Sequence, residues 1–165
     1  MELTEYQTGD RRTDTADVIS LRNVIAEDAS TLCRDAFPAL TQEQVLAMIA
    51  AWNTKLFHGR YFEMFAVLAE GEIVGTISLY QHTEDVISIG PEIFAPYRRH
   101  GYGTAAMLCA CEIAKKKGYR LVSQQVRVNN TASIAMHASL GFETDGEITT
   151  NEKGNQIIIY QKNLD

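Results

Sequence analysis

Two glycines one residue apart, Gly101 and Gly103, stand where a β-rich run gives way to a helical period, and this junction constrains the chain more than any other feature. Val86 to Phe94 reads as a strand, while Tyr102, Ala106, Cys109 and Ile113 fall on one helical face. Lys115 to Lys117 suit the last turn of that helix and Gly118 its C′ position, so the spacing predicts a helix over about 101–117. A strand running through glycines into a helix implies an α/β fold, and the other segments are read around it.

Before the junction, Val18 to Val24 reads as a strand and Glu27 to Phe37 as a short helix stopped by Pro38. Thr41-Gln42-Glu43-Gln44 has the form of a capping box, predicting a second helix from there to about His58. Tyr61 to Ala69 and Glu72 to Tyr80 are strands joined by the tight hairpin signal Glu70-Gly71. Gly90-Pro91 lies inside the next strand, and because proline cannot donate to a ladder, it implies an edge, a bulge or a local parting of strands, of which a bulge is expected there. Tyr119 to Val128 reads as a strand and Asn130 to Leu140 as a helix capped by Asn130 and ended by Gly141. Phe142 to Thr149 and Gln156 to Gln161 close the chain as a hairpin, giving the order βααβββαβαββ in one domain over 17–165, with residues 1–16 as an extended N-terminal arm.

At the junction the glycines remove side chains where the backbone turns and a ligand comes close. Helix-start N–H groups, the helix dipole and the cations Arg98 and Arg99 together suit a diphosphate. A Walker loop needs Gly-x-x-x-x-Gly-Lys-Ser/Thr, which is absent. Gly101-Tyr-Gly103-Thr-Ala-Ala106 does satisfy a dinucleotide fingerprint, but the acidic residue expected about 20 positions on is missing from Leu121 to Val126.

Composition narrows the rest. The 165 residues are 45% hydrophobic and carry a net charge of −6, enough for one sizeable core and opposed to a nucleic-acid surface. There is no run of about 18 apolar residues and no basic-then-apolar start, so the chain reads as soluble and cytoplasmic, with no membrane partner. Cys33, Cys109 and Cys111 read as free thiols, the four histidines are scattered, and no metal is assigned.

Arg98-Arg99-His100-Gly101-Tyr102-Gly103 matches in full the Arg/Gln-x-x-Gly-x-Gly/Ala hallmark of the GNAT superfamily of acyl-CoA-dependent N-acyltransferases, which the chain resembles over about 18–163. Asn130-Thr-Ala-Ser133-Ile-Ala-Met-His137-Ala-Ser-Leu-Gly141-Phe142 is similar to that family's second block, with histidine at a position that often holds tyrosine. The resemblance implies a mixed, mostly antiparallel sheet with helices on both faces, whose fourth and fifth strands, here Val86 to Phe94 and Tyr119 to Val128, splay apart. It implies acetyl-CoA as co-substrate, bound by Arg98, Arg99, His100, Gly101, Tyr102, Gly103 and Thr104, by backbone near Ile93, Phe94 and Ala95, and by Asn130 and Ser133.

Transfer to an amine needs a base, a donor for the acyl oxygen and an acid for the departing thiolate. Glu92 is the candidate base, ahead of Glu84 and Asp85, and His137 the candidate acid. The acceptor is expected to be a primary amine on a small molecule or peptide N-terminus, walled by Phe37, Trp52, Phe57 and Tyr61, in a monomer or homodimer. A silent acyl-CoA-binding sensor is the alternative, since the glycine motif serves binding in either case.

Overall fold

The computed structural model describes residues 6–9 and 18–165. Within the expected arm, Tyr6–Gly9 forms a strand, β1, paired antiparallel with β2 (Val18–Asn23); the rest of 1–16 lies outside the described residues. A 3-10 turn (Ala26–Asp28), α1 (Ala29–Asp35) and α2 (Gln42–Trp52) follow. Thr41 and Gln44 make the reciprocal capping box at the start of α2.

The expected run of α2 to His58 is corrected by the structure. The helix stops at Trp52, and β3 (Leu56–Phe57) folds back on β4 (Arg60–Ala69) through His58 and Gly59, both at positive φ. Glu70 and Gly71, also at positive φ, close the tight hairpin to β5 (Glu72–Gln81), as Glu70-Gly71 had signalled. Then come β6 (Val86–Ile93), α3 (Tyr102–Lys116), β7 (Leu121–Arg127), α4 (Thr131–Ser139), β8 (Ile148–Thr150) and β9 (Gln156–Asn163).

Among the described residues the sheet order is β1-β2-β4-β5-β6-β7-β9-β8, with β3 off the end of β4. Every pairing is antiparallel except β6–β7, which α3 joins as a crossover. The closing hairpin is shorter than its sequence predicts. Glu147 N–H bonds the Asp145 carboxylate and Gly146 N–H the Thr144 hydroxyl, so the backbone turns locally; Glu143 still bridges Gln161.

Strand alternation splits the core. Phe65, Val67, Ile77, Leu79, Ile87 and Ile89 face α3, whose residues Ala105 to Ala114 are almost wholly buried; Ala66 and Phe94 face α1 and α2 on the other side with Leu32, Val45 and Ile49. Helices therefore cover both faces.

One feature of β6 departs from expectation. β5 and β6 stay in register from Gln81↔Ile87 through Ile77↔Pro91 to Gly75↔Ile93, with no bulge at Gly90-Pro91. The parting is on the other edge, where β6 meets β7 only at Val86↔Leu121 and Ile87↔Val122.

Candidate functional site

The backbone N–H and C=O of Ile89 point across the parting, because both are bonded to the Gln124 side chain on β7. Alternation along an antiparallel strand then turns Pro91 and Ile93 to the same edge. Proline is tolerated because its missing N–H faces a gap without a partner strand. The Ile93 carbonyl takes the Arg98 Nε–H at 2.9 Å. Between residues 88 and 93, the backbone groups left facing the gap are the Pro91 carbonyl and the Ile93 N–H.

Of the backbone expected near Ile93 to Ala95, Phe94 turns the other way. Its N–H goes to the Val74 carbonyl at 2.9 Å and its ring lies in the α1–α2 core. Gly75 lets β5 approach this kink, since a Cβ there would stand 2.3 Å from the Glu92 carbonyl oxygen.

The loop after β6 ends at Gly101, the N-cap of α3, with φ 79°; no side chain caps this helix. Arg99 also has positive φ (69°), a conformation that costs a non-glycine residue free energy and cups the loop around the helix start. His100 Nδ1 donates to the Tyr97 carbonyl at 3.0 Å, and its ring stacks on Tyr102. At Gly103 an added Cβ would make only ordinary contacts, 3.5 Å to Ile93 and 3.9 Å to Met136, so α3, β6 and α4 converge there without needing glycine for packing. Thr104 is half-buried in the same first turn. Uncapped N–H groups with space beside a side-chain-free position fit a diphosphate. The Arg98 guanidinium, by contrast, is drawn back along β6, its Nε–H on Ile93 and its NH2 3.6 Å from Glu92.

Glu92 is 65% exposed in its side chain and shares the β6 face of Ser88 and Gly90. His137 is on the other face of the sheet and only 3% exposed. Its Nδ1–H goes to the Ser133 carbonyl at 2.7 Å, with the Ser133 hydroxyl at 3.3 Å, and its Nε2 faces the Gln124 amide nitrogen at 3.4 Å. Burial pushes its pKa down, opposed in part by the Ser133 bond, so the ring is a neutral acceptor at Nε2. The expected acid and base are thus not brought together. Asn130 caps α4 by accepting the Ser133 N–H.

A cavity of about 360 Å³ opens on the Glu92 face, lined by Tyr80, His82, Ser88, Gly90, Gln124 and neighbours. Ser88 donates its hydroxyl to the Ser123 carbonyl across the parting at 2.5 Å and accepts from His82 Nε2 at 2.6 Å. Burial first, then Arg60, lowers the His82 pKa. Phe57 packs on Tyr80 beside His82, and Phe37 on Trp52. Tyr61 is corrected as a wall: it lies on the α3 face, stacked on Tyr119 and bonded to Glu63.

Gln124, Ser88 and His82 escaped the sequence reading. Only Gln124 left a signal, as a polar residue on the buried alternation Val122–Gln124–Val126. Among the described residues no group of three or more His, Cys, Asp or Glu side chains is placed to hold a metal, and no helix is long and apolar enough to cross a membrane.

The model of the acetyltransferase (GNAT) family matches residues 25–142. A search of curated protein sequences finds no match. Solved structures share the fold. Mycobacterium smegmatis RimJ in complex with a CoA disulfide superposes with TM-score 0.77 at 18% identity, covering 98% of this chain and 86% of that one. An acetyltransferase from Salmonella typhimurium that modifies the N-terminal serine of ribosomal protein L7/L12 gives 0.73 at 16%, covering 89% and 95%. A ribosomal L7/L12 α-N-protein acetyltransferase, RimL, in complex with CoA gives 0.76 at 15%, covering 88% and 93%.

Proposed function

The chain belongs to the GNAT acetyltransferase family, and from that premise we propose that it transfers an acetyl group from acetyl-CoA to a primary amine by direct attack with both substrates bound. The observation that carries this reading is the pairing of an uncapped α3 start with a parted β6 edge whose Ile93 N–H faces the gap.

Acetyl-CoA supplies an acyl group already activated as a thioester. In this reading the first-turn N–H groups of α3, with Arg99, His100, Tyr102 and Thr104, hold the diphosphate, and Gly101 and Gly103 keep the approach open. Arg98 braces β6 through Ile93, leaving the Ile93 N–H as the backbone donor for the acyl oxygen. Asn130 and Ser133 set the start of α4 along the other wall. Glu92 faces the cavity side and takes the proton of the incoming ammonium.

His137 has no acid role here. Its one N–H is committed to Ser133 and its other nitrogen accepts, so it orients Gln124. Among amines, the shared fold with enzymes that modify a protein N-terminal serine favours a peptide N-terminus. The cavity lining agrees: it carries hydroxyls, two amides and a neutral imidazole but no carboxylate to hold a polycation.

The test is release of CoA thiol from acetyl-CoA against a panel of short peptides, amino acids, polyamines and aminoglycosides. Turnover with at least one amine is expected. Binding of acetyl-CoA with no turnover of any amine would replace this reading with the silent sensor.

A further inference from the structure

Strand register lines up three rows of side chains on the sheet face that carries Glu92. Thr76 pairs with Glu92, Ser78 with Gly90 and Tyr80 with Ser88, and Tyr80 pairs on its other side with Phe62. Partners across an antiparallel pair point to the same face, and successive rows lie about 7 Å apart, twice the rise per residue. The middle row holds little side chain: Gly90 has none, and a Cβ there would stand 2.9 Å from the Ser78 hydroxyl oxygen. A trough therefore begins one row from Glu92, and Ser78, Gly90, Tyr80 and Ser88 all line the 360 Å³ cavity above it.

The far wall of the trough is aromatic. Tyr80 meets both Phe57 and His82 edge to face, and Phe57 also packs on Phe62. Phe57 nonetheless remains 50% exposed on the two-residue strand β3, which leaves apolar surface open at the rim. The polar side chains of the lining are engaged with protein: Ser88 donates to the Ser123 carbonyl and accepts from His82, Gln124 holds both backbone groups of Ile89, and Gln125 accepts from Asn151. A polar group entering the trough thus gives up water for few partners, whereas an apolar one gains by burial against Tyr80 and Phe57.

We infer that this trough takes the side chain of the acceptor peptide's first residue and selects a large apolar one. The inference rests on the reading above, in which a peptide N-terminus brings its amine to Glu92, and adds to it the part of the acceptor that is recognised. The side chain of the residue bearing the amine starts beside Glu92. An alanine methyl group ends in that row, while a phenylalanine ring extends over Ser78 and Gly90 to Tyr80. Tyr80 and Phe57 are specificity-determining residues that touch neither the amine nor the thioester.

The test is kcat/KM, read as CoA thiol release from acetyl-CoA, for four tetrapeptides that place phenylalanine, leucine, asparagine or alanine ahead of three glycines. The wild type is expected to favour phenylalanine over alanine at least tenfold, and leucine over asparagine, which has the same shape but is polar. Tyr80→Ala should cut the phenylalanine-to-alanine ratio below threefold while leaving acetyl-CoA affinity within twofold. Ser78→Leu, which fills the trough, should lower the same ratio, and Phe57→Ala, at a half-exposed position, carries the test if the Tyr80 variant does not fold. A merely structural role would slow all four peptides alike and keep the ratio. Equal rates for the four peptides in the wild type, or variants that retain the wild-type ratio, would overturn the inference and leave amine transfer standing. Binding of acetyl-CoA with no turnover of any peptide would overturn the peptide reading and the inference with it.

Discussion

His137 donates its Nδ1–H to the carbonyl oxygen of Ser133, one helical turn earlier, at 2.7 Å, and this bond decides what the ring can do. With Nδ1 protonated and burial opposing a second proton, Nε2 is an acceptor. A histidine whose folded pKa lies below the unfolded value of about 6.5 gives stability that is full above 6.5 and is lost as pH falls toward the folded value. The urea midpoint should therefore drop between pH 7 and pH 5. His82, also lowered, contributes in the same window. His137→Phe should make the drop shallower without abolishing it, and equal slopes for the two proteins would count against a neutral His137.

Gly103 separates folding from binding. Its helical position leaves room for a methyl group in the free protein, and alanine is the better helix former by about 0.8 to 1 kcal/mol. Gly103→Ala should hold or raise the melting temperature and, because the motif admits alanine here, keep acetyl-CoA affinity, whereas the bulky Gly103→Leu should weaken acetyl-CoA binding at least tenfold, about 1.4 kcal/mol. Calorimetry and a thermal melt on the same samples decide it, and undiminished affinity in the leucine variant would remove the glycine loop from the cofactor site.

Gly75 is the converse case. A Cβ 2.3 Å from the Glu92 carbonyl oxygen meets backbone, which cannot swing aside. Gly75→Ala should destabilise the protein by about 1 to 3 kcal/mol in urea unfolding and, by pushing the end of β6, should also lower acetyl-CoA affinity. Wild-type stability would mean that the two strands do not approach so closely.

Glu92 is tested by kinetics. Glu92→Gln keeps the shape and removes the base, so kcat/KM for the amine should fall at least tenfold while the affinity for acetyl-CoA stays within twofold. Unchanged turnover across pH would strip Glu92 of its role, with the amine then entering already neutral.

Glu63, distant from the cofactor loop, tests the frame. Burial alone raises its pKa, but bonds from Tyr61 and Asn23 and the charges of Lys117 and Lys55 outweigh it and hold the carboxyl below its usual range. Stability from this group is present above the unfolded pKa of about 4.3 and lost as pH falls through the folded value. Glu63→Ala should cost about 3 kcal/mol at pH 7 and flatten the acid limb of the stability profile. Full stability at pH 7 would contradict the buried cluster.

Local rules carried much of the chain. The Thr41–Gln44 capping box, the Glu70-Gly71 turn, the Asn130 cap and the Gly118 and Gly141 helix ends each depend on a few adjacent residues, and each is found where its residues predict. The glycine turn into α3 was legible for the same reason, because glycines between a strand and a helix constrain the backbone whatever surrounds them. Pro91 was expected to mark a bulge, and the structure shows none: β6 stays in register with β5 and parts from β7 instead, because a missing N–H marks an unpaired edge and only the neighbouring strands determine which edge that is.

Tertiary structure decided the surroundings of the candidate residues. Glu92 read as the candidate base and His137 as the candidate acid. Packing buries His137 against Ser133 and Gln124 on one face of the sheet and leaves Glu92 exposed beside Arg98. Arg98 looked like a phosphate ligand, yet the carbonyl of Ile93 and the carboxylate of Glu92 draw it back along β6. Gln124 lies 35 residues from Ile89 in sequence, and no local pattern contains their contact. The sequence by itself determined the elements, their caps and the anion-ready start of α3, since these follow from short-range backbone geometry. Which polar groups face the gap, which are already bonded and which remain neutral depends on desolvation and on partners brought together by the sheet, so only the fold could decide them.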